Sequence, residues 1–445
     1  MKRFPSLRSL AAAVAACAAA LPVSAVAADK GADVHVFLLT GQSNSLGAVK
    51  GTPAPQELLD KYRSQAEMWN GNMVRDTGVC FEKTPAWVPV APQLPVYNGN
   101  PCMGPEYGFC HVLETRAPEV FKGKTAIIKA SLDGGGNHFW QKGGKAYASM
   151  LATATAAMKA SKGGTIEGLI YLQGESDAGD EVTNAGKRFP ELFANLKKDI
   201  PAPKLKYAVV GQPATWHGKD KEVGGTTTAA QLEKMAAARK NTGWVRTRDL
   251  TKITSGDNMG VHYDGKSQIT IGARFGYQML MQMGVVVFDG IRNDNPDVTL
   301  DSPDAWWRSG RSESAKREPV TAVWDVAAVN AEETVAGTWT VSGIRVEDPF
   351  RAEIVINGKE GAKLNLGKKG IVLQDSDLSL HNLPVTVKAS QTWKIPAGRT
   401  LTLDNVKLGK EKSAQIKLQG EGKVVLKGGT KLPGVDKGKV SVEEQ

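Results

Sequence analysis

The sequence contains few cysteines and histidines, which limits the chemistry that it can support. Among its 445 residues are four cysteines and six histidines. It has no C-x-x-C pair and no histidine and cysteine spacing that suits zinc, so we expect neither a metal ion nor a cofactor. Cys80, Cys102 and Cys110 could form one disulfide bond in an exported protein, and the sequence does not select the pair.

Long apolar runs are also absent after the first residues of the chain. No later run approaches the ~18 apolar residues that a membrane-spanning helix requires, so we expect no membrane span. At the N-terminus, basic residues precede the apolar run Leu10–Val23, and the small-residue segment Ser24–Ala27 follows it. This order is typical of a signal peptide, which we assign to residues 1–28 and which predicts export to the periplasm, the cell surface or the medium. Alternatively, Val14–Cys17 resembles a lipobox and would place a lipid anchor at Cys17.

A cluster of arginines and aromatic residues, as nucleic-acid-binding proteins carry, is missing as well. The formal net charge of +10 at pH 7 comes from dispersed residues, among them many lysines in the last third of the chain. We therefore expect a solvated basic surface that could attract acidic glycans, and no nucleic-acid partner. The pattern gives no prediction of the oligomeric state.

Alternating apolar strands and helical segments predict an α/β domain with a parallel sheet over residues 29–292. A polar stretch over residues 293–319 is typical of a linker. Residues 320–445 contain short alternating runs without a helical period, which predicts an all-β domain. The phrase Thr-Trp-x-Val/Ile occurs at Thr338–Val341 and again at Thr392–Ile395, which favours a β-solenoid, with a β-sandwich as the alternative.

Several predicted strands of the α/β domain end in polar or glycine-rich turns. The apolar run Val34–Leu39 leads into the turn Thr40–Asn44, which presents the hydroxyl of Ser43. Other predicted strands are followed by Gly134-Gly135, Glu175 and Gln212. Because ligand sites of parallel sheets gather at the carboxyl ends of the strands, we expect these residues to lie at one site.

A serine nucleophile needs a base that accepts its proton, and few histidines are available for this role. His262 lies in a loop directly before a predicted helix, where its imidazole could face the site. His35 lies within a strand, and His381 belongs to the β domain. His262 therefore stands apart as a candidate base, while His138, which follows the glycine run, could also line a pocket.

The motifs of the α/β domain resemble those of the SGNH (GDSL-like) hydrolases. Within that superfamily they are similar to the carbohydrate acetylesterases that include sialate O-acetylesterases. The resemblance spans roughly residues 33–285, and its motifs occur in the family's order: Gly41-Gln42-Ser43-Asn44, Gly104-Pro105-Glu106, Gly134-Gly135, Gln173-Gly174-Glu175-Ser176-Asp177-Ala178, and His262 with Gly272-Ala273-Arg274-Phe275. Their order is more specific than any single motif.

The resemblance implies a three-layer α/β/α domain and a set of catalytic roles. Ser43 would be the nucleophile, with its own amide in the oxyanion hole, and His262 the general base. Gly134 or Gly135 would supply a backbone donor to the oxyanion. The side-chain amide of Gln173 would supply another donor.

The third member of the triad departs from the pattern of the superfamily. Its usual aspartate, three residues before the histidine, is replaced by Met259, which is a poor hydrogen-bond acceptor. Glu175, as the resemblance suggests for this branch, could orient His262 instead, and Asp257 is a possible alternative acid.

Together these features predict an exported carbohydrate O-acetylesterase that forms a serine acetyl-enzyme. The expected partner is an O-acetylated glycan, with sialic acid as the first substrate and a xylan-type polysaccharide as the second. The alternative is a catalytically inactive glycan-binding or surface-attachment protein, which the replacement at Met259 keeps open.

Overall fold

The computed structural model describes residues 34–47, 54–70, 85–97, 100–161, 163–201, 203–215, 219–253, 260–285, 290–292, 297–307 and 319–445. The predicted signal peptide at residues 1–28 and the alternative anchor at Cys17 lie outside these residues. Cys80, Asp257 and Met259 lie outside them as well.

The first part of the chain alternates strands and helices as the sequence predicts. Its strands are β1 (His35–Gly41), β2 (Glu67–Trp69), β3 (Trp87–Pro89), β4 (Gln93–Tyr97), β5 (Asn100–Cys102), β6 (Thr125–Ser131), β7 (Thr165–Leu172), β8 (Pro203–Gly211), β9 (Glu222–Val223), β10 (Thr226–Thr227) and β11 (Thr242–Val245). Its helices are α1 (Ser43–Leu46), α2 (Gln56–Lys61), α3 (Glu106–Arg116), α4 (Pro118–Phe121), α5 (Lys145–Ala160), α6 (Asp180–Asp199), α7 (Thr228–Ala237) and α8 (Gly265–Met283), with a 3₁₀ turn at Asn137–Trp140.

Seven of these strands form one sheet in the order β11-β8-β7-β1-β6-β2-β3. All neighbours are parallel except β2 and β3, which are antiparallel. In the centre of the sheet, Gly41 lies opposite Ser131 on one side and Leu172 on the other. The carboxyl ends of β1, β6 and β7 therefore meet at the same edge of the sheet, as the sequence predicts.

Side chains of β1 alternate between two buried layers, because successive strand residues point to opposite faces. Phe37 and Leu39 pack in the cluster that contains residues of α3 and α8, whereas Val36 and Leu38 pack with residues of α5, α6 and α7. All four side chains are at most 1% exposed. Burial of one such side chain contributes about 1.5–3 kcal/mol. The three-layer α/β/α prediction is confirmed.

Helices α3 and α8 cross with their backbones in close contact, and glycines permit this. A Cβ atom at Gly272 would lie 1.9 Å from the carbonyl oxygen of Pro105, and one at Gly108 would lie 1.9 Å from the carbonyl oxygen of Ile269. Neither obstacle is a flexible side-chain end, so neither can move aside without shifting a helix. The contact fixes the position of α8, which begins directly after the loop that carries His262.

The second part of the chain consists of short strands. After a 3₁₀ turn at Pro303–Ala305 come β12 (Thr321–Trp324), β13 (Glu332–Val335), β14 (Thr338–Val346), β15 (Glu353–Gly358), β16 (Lys363–Leu373), β17 (Asp377–His381), β18 (Val385–Val387), β19 (Gln391–Lys394), β20 (Thr400–Asp404), β21 (Leu408–Lys410), β22 (Ile416–Gln419), β23 (Lys423–Lys427), β24 (Val435–Asp436) and β25 (Ser441–Glu444).

These strands form two parallel sheets, between which the chain passes repeatedly. One sheet has the order β13-β15-β17-β20-β23-β25, and the other has the main order β12-β14-β16-β19-β22-β24. The parallel pairing of strands one coil apart identifies a β-solenoid and excludes the antiparallel β-sandwich. Trp339 and Trp393, from the repeated Thr-Trp phrase, are both at most 2% exposed in its core. At successive coils the corner residues Asn382 and Asn405 take positive φ, and Asn405 donates to Asn382 at 2.7 Å.

The segment expected to be a linker, residues 293–319, is partly folded against the solenoid. Leu300 and Ala305 lie in the solenoid core, together with Ile291 just before the segment. The backbone N–H of Ile291 also donates to the carbonyl of Val323 at 2.8 Å. Residues 297–307 are therefore packed rather than extended as a spacer, and the boundary between the domains stays a prediction.

Buried charged groups join the two domains. Arg116 on α3 contacts Asp325 of the solenoid at 2.7 Å and donates to the hydroxyl of Tyr277 at 2.6 Å. Arg274 on α8 is 1% exposed; it pairs with both carboxylate oxygens of Asp249, and its Nε donates to the carbonyl of Ala327 at 3.2 Å. The contacts of Arg116 with Asp325 and of Arg274 with Ala327 therefore connect α3 and α8 to the solenoid, whereas the pair of Arg274 with Asp249 lies within the first domain.

No helix among the described residues is long and apolar enough to cross a membrane.

The close contact of α3 and α8 makes Gly272→Ala destabilising. The added methyl group meets the Pro105 carbonyl, and we expect a loss of about 2–3 kcal/mol or more in the free energy of unfolding. Urea denaturation measures this change. Ala156→Gly on the exposed face of α5 is the control, for which helix propensity predicts a loss of about 1 kcal/mol. An equal or smaller loss for Gly272→Ala would contradict the close approach.

Candidate active site

Ser43 lies at the carboxyl edge of the sheet, directly after the central strand β1. The turn before it requires glycine at position 41, where φ is +139° and a Cβ atom would lie 1.8 Å from the carbonyl oxygen of Leu172. The backbone N–H of Gln42 donates to that same oxygen at 3.1 Å. Ser43 is thus held in a fixed turn beside β7, and it is 3% exposed.

His262 reaches Ser43 from the loop before α8. Its Nε2 lies 2.8 Å from the Oγ of Ser43, and the histidine is 3% exposed. Two contacts hold the chain around His262: its carbonyl accepts from the N–H of Ile253 at 2.8 Å, and Asp264 caps the first turn of α8 by accepting from the N–H of Ser267 at 2.7 Å. The structure therefore brings together the two residues that the sequence predicts as nucleophile and base.

The side chain of Asn44, the residue after the serine, holds the backbone on both sides of His262. Its Nδ2 donates to the carbonyl of Val261 at 3.1 Å, and its Oδ1 accepts from the N–H of Tyr263 at 3.2 Å. The same Nδ2 donates to Oε1 of Glu175 at 2.8 Å. Asn44 therefore ties the serine turn, the histidine loop and the loop after β7 into one unit. The sequence favours a supporting role over a chemical one for this residue, and the structure shows which groups it supports.

The hydrogen bonds of Glu175 within the described residues go to Asn44 and Ala214, and its expected role beside His262 stays a prediction. Its Oε1 accepts from Asn44 and, at 3.4 Å, from the N–H of Ala214. Its Oε2 is buried and accepts no hydrogen bond from the described residues. Asn44 connects Glu175 to the peptide groups on either side of His262. Desolvation by burial raises the pKa of Glu175 from 4.5 to about 7.

The glycine-rich loop after β6 lies at the same edge of the sheet. Gly134 and Gly135 have φ angles of +76° and +90°, and nothing lies within 4 Å of where a Cβ atom at Gly134 would be. Within the described part of the chain, their backbone N–H groups donate to no acceptor. Both amides are therefore available to a negatively charged oxygen.

Gln173 lies between the glycine loop and Asp177. Its Nε2 donates to Oδ1 of Asp177 at 2.7 Å and approaches the carbonyl of Gly135 at 3.4 Å, while its Oε1 accepts from the hydroxyl of Tyr171 at 2.8 Å. The amide hydrogens are already directed at these two acceptors, and the residue is fully buried. In this structure the amide supports the glycine loop, and the oxyanion-donor role of Gln173 stays a prediction.

Asp177 is the anchor of this loop, and sequence reasoning missed it. Besides Gln173, its carboxylate accepts from the backbone and side chain of Asn137, at 2.9 and 2.8 Å, and from the hydroxyl of Thr228 at 3.0 Å. It is 1% exposed. Its position at the end of the Gln-Gly-Glu-Ser-Asp motif is the sequence feature that could have indicated a role at the site. Only the fold shows that Asn137 lies beside it.

A buried ion pair accounts for the Gly-Pro-Glu motif. Nζ of Lys129 on β6 lies 2.9 Å from Oε1 of Glu106, and their side chains are 1% and 0% exposed. The same Oε1 accepts from the N–H of Gly104 at 2.9 Å. Since removing one partner of such a pair costs about 3–5 kcal/mol, Glu106 is a structural residue of the edge on which Ser43 lies.

The other described histidines have partners away from Ser43. His35 pairs with Glu167, His138 with Glu181, and His381 with Asp404 in the solenoid. His111 packs against the ring of Tyr62. Among the described residues, no group of three histidine, cysteine, aspartate or glutamate side chains is placed to hold a metal ion.

Cys110 is a buried, free cysteine. Of the disulfide pairs that the sequence leaves open, only Cys80 with Cys102 is compatible with this, and it stays a prediction because Cys80 lies outside the described residues.

Comparison with protein families gives one match that covers more than half of the chain. Residues 33–281 match the model of the family described as carbohydrate esterase, sialic acid-specific acetylesterase. This range contains every residue of the site described above. No curated protein matches the chain significantly in sequence.

Several solved structures are similar to the chain at low identity. A protein from Arabidopsis thaliana is 18% identical with a TM-score of 0.41, over 56% of this chain and 98% of that protein. A carbohydrate acetylesterase from Xanthomonas citri is 15% identical with a TM-score of 0.40, over 58% of this chain and 59% of that one. NanS is 13% identical with a TM-score of 0.41, over 56% of this chain and 98% of its own.

The contacts of Asn44 predict a loss of turnover in Asn44→Ala. Without the amide, the backbone on either side of His262 loses its support, and misplacement of the base lowers kcat by about 10²-fold. Hydrolysis of an aryl acetate measures kcat and KM. Asn241→Ala, which removes an exposed hydrogen bond to the carbonyl of Lys206, is the matched control. Equal kcat values for the two variants would show that Asn44 does not position the base.

Burial of Glu175 predicts a pH-dependent cost to stability. Because its pKa rises from 4.5 unfolded to about 7 folded, the native state holds this proton more tightly, and stability falls as pH rises through that window. Glu175→Gln removes this cost, so its stability relative to wild type should increase by roughly 3 kcal/mol at most between pH 4.5 and pH 8. Urea denaturation at the two pH values measures the difference. The exposed Glu360→Gln is the control, and the same pH response in both variants would disprove the assignment.

Proposed function

The chain belongs to the carbohydrate esterase family described as sialic acid-specific acetylesterase, and from this membership we propose that it is a serine O-acetylesterase acting on glycans. The observation that carries the proposal is the distance of 2.8 Å between Oγ of Ser43 and Nε2 of His262 at the carboxyl edge of the sheet. An O-acetylated sialic acid is the first substrate, in line with the family's description. An acetylated xylan-type polysaccharide is the second.

In the first half of the reaction, Ser43 attacks the acetyl carbonyl. The Oγ–C bond forms as the hydroxyl proton passes to Nε2 of His262, and the carbonyl oxygen becomes an oxyanion. When the tetrahedral intermediate collapses, the bond between the carbonyl carbon and the sugar oxygen breaks. The imidazolium of His262 gives its proton to that oxygen, and the sugar leaves with a free hydroxyl group. Ser43 remains acetylated.

In the second half, water takes the place of the sugar. His262 accepts a proton from the water as it attacks the acetyl carbon, and a second oxyanion forms. Collapse of this intermediate breaks the bond to Oγ, returns the proton to Ser43 and releases acetate. The enzyme is then restored without any change of oxidation state.

Backbone amides stabilise the oxyanion in both halves of the reaction. We assign this role to the N–H groups of Ser43 and of Gly134 or Gly135, since the glycine amides have no acceptor within the described residues. The loss of one such donor costs about 3 kcal/mol of barrier in comparable hydrolases. Gln173 and Asp177 keep the glycine loop in place through the contacts described above.

Orientation of His262 is the role that we assign to Glu175, acting through Asn44. This arrangement lets Glu175 influence the base, because Asn44 contacts the peptide groups on both sides of the histidine. Asp257 is the alternative acid. It precedes His262 by five residues in the sequence, outside the described residues.

Export of the protein is part of the proposal. The basic and apolar order of residues 1–28 supports cleavage by signal peptidase and release to the periplasm, the cell surface or the medium. The lipobox-like alternative at Cys17 would attach the protein to a membrane surface. An exported location fits a substrate that belongs to extracellular glycans.

Aryl-acetate hydrolysis by the full chain tests the proposed chemistry. Ser43→Ala and His262→Ala should each lower kcat by on the order of 10⁴-fold or more, because the nucleophile and base act as a unit. Ser302→Ala and His381→Ala, remote from the site, are the matched controls and should retain activity. A wild-type protein without activity would support the alternative of a glycan-binding protein that has lost catalysis.

The same assay distinguishes the two candidate acids. If Glu175 orients the base through Asn44, Glu175→Gln lowers kcat more than Asp257→Asn does. The reverse order would assign the third triad position to Asp257. Comparison of O-acetylated sialic acid with acetylated xylan then identifies the preferred glycan.

A further inference from the structure

A concave groove lies on the outer side of the solenoid, on the sheet that contains β16, β19 and β22. It has a volume of about 510 Å³, and four lysines line it: Lys368, Lys369, Lys394 and Lys417. The one acidic residue in its lining is Asp436. The lining therefore has more positive than negative side chains even without Lys368, which has a partner of its own, and nothing assigned so far uses the groove.

The register of the solenoid directs these lysines outward. Lys417 stands between the buried Ile416 and Leu418, and Lys394 follows the buried Trp393, so both side chains point to solvent. Lys368 and Lys369 lie in a bulge of β16, where residues 367–369 oppose the single residue 342 of β14.

The lysines occupy three successive coils of the solenoid. β16 pairs with β19, and β19 pairs with β22, so the charges of the groove recur from strand to strand. Neighbouring strands in a sheet are about 4.8 Å apart. The groove thus presents a row of positive charges along the solenoid axis, which matches a polymer whose negative charges also recur along its length.

Within the described residues, Lys369, Lys394 and Lys417 form no ion pair or hydrogen bond. Elsewhere on the solenoid, lysines pair with carboxylates on the neighbouring coil, as Lys388 does with Glu411 and Lys423 with Glu443. Like charges close together repel each other, and an anion that binds between them removes this repulsion. The groove is consequently a site whose charge an external partner would compensate.

We propose that this groove is a binding site for an acidic polysaccharide, one whose sugars carry carboxylate groups. The lysines bind the carboxylates, and the uncharged Ser390, Thr392 and Gln415 of the same lining face the hydroxyl groups of the sugars. The groove has no arginine and no aromatic residue in its lining, which are the residues that bind phosphates bidentately and stack on bases. This composition favours a carboxylated glycan over a nucleic acid.

The site does not depend on the proposed esterase activity. Binding at the solenoid requires neither Ser43 nor His262, so a failure of the acetylesterase proposal leaves it standing. If both proposals hold, the solenoid keeps the enzyme on an acidic glycan while the α/β domain removes acetyl groups.

Binding of polygalacturonate to the full chain, measured by calorimetry at low and at physiological ionic strength, tests the proposal. We expect binding that weakens as salt screens the charges, and none to neutral dextran. Lys394→Ala with Lys417→Ala should weaken binding by about tenfold or more, since two charge-assisted contacts are lost. Lys394→Arg with Lys417→Arg should retain it.

The matched control is Lys388→Ala with Lys423→Ala, which removes the same net charge from solenoid lysines outside the groove. This pair should change the affinity by less than about twofold. Equal weakening by the two double variants would overturn the proposal in favour of a general charge effect, and no binding of polygalacturonate at low salt would also overturn it. If duplex DNA bound more tightly than polygalacturonate, and the groove variant lost this binding, the groove would be a nucleic-acid site instead.

Discussion

The site depends on the side-chain amide of Asn44. Ser43 and His262 are 219 residues apart in the chain, and their contact at 2.8 Å exists only if the serine turn and the histidine loop are held in register. One amide group does this by binding the carbonyl before the histidine, the N–H after it and the carboxylate of Glu175. An alanine or a charged residue could not donate and accept at once in this way, which accounts for asparagine directly after the serine.

Buried polar groups with specific partners form the carboxyl edge of the sheet. Glu175, Asp177 and the pair of Glu106 with Lys129 are all at most 3% exposed, and each would be costly to bury without its partners. The two apolar layers on either side of the sheet offset that cost. Such an arrangement favours rigidity, since any movement of the edge would leave a buried charge without its hydrogen bonds.

The fold and the central pair of the site could be predicted from sequence, and the supporting contacts could not. Strand and helix periods, and polar turns after apolar runs, indicate a parallel sheet with Ser43 at its edge, because those signals are local. The motif order selects His262. By contrast, Glu175 accepts from Asn44 and Ala214, Gln173 donates to Asp177, and only the packing of loops decides which of these groups lie in contact.

The solenoid was harder to distinguish from a sandwich, because both present short alternating strands and only the pairing partner differs. The coils also determine the length of the domain. Corner asparagines Asn382 and Asn405 are 23 residues apart, and each coil packs mainly on the coils beside it. A gain or loss of one whole coil would therefore change the length of this domain in a step of about 4.8 Å and leave the hydrolase domain unaltered. The length of this domain is therefore set by the number of its coils, and it can change without any new fold.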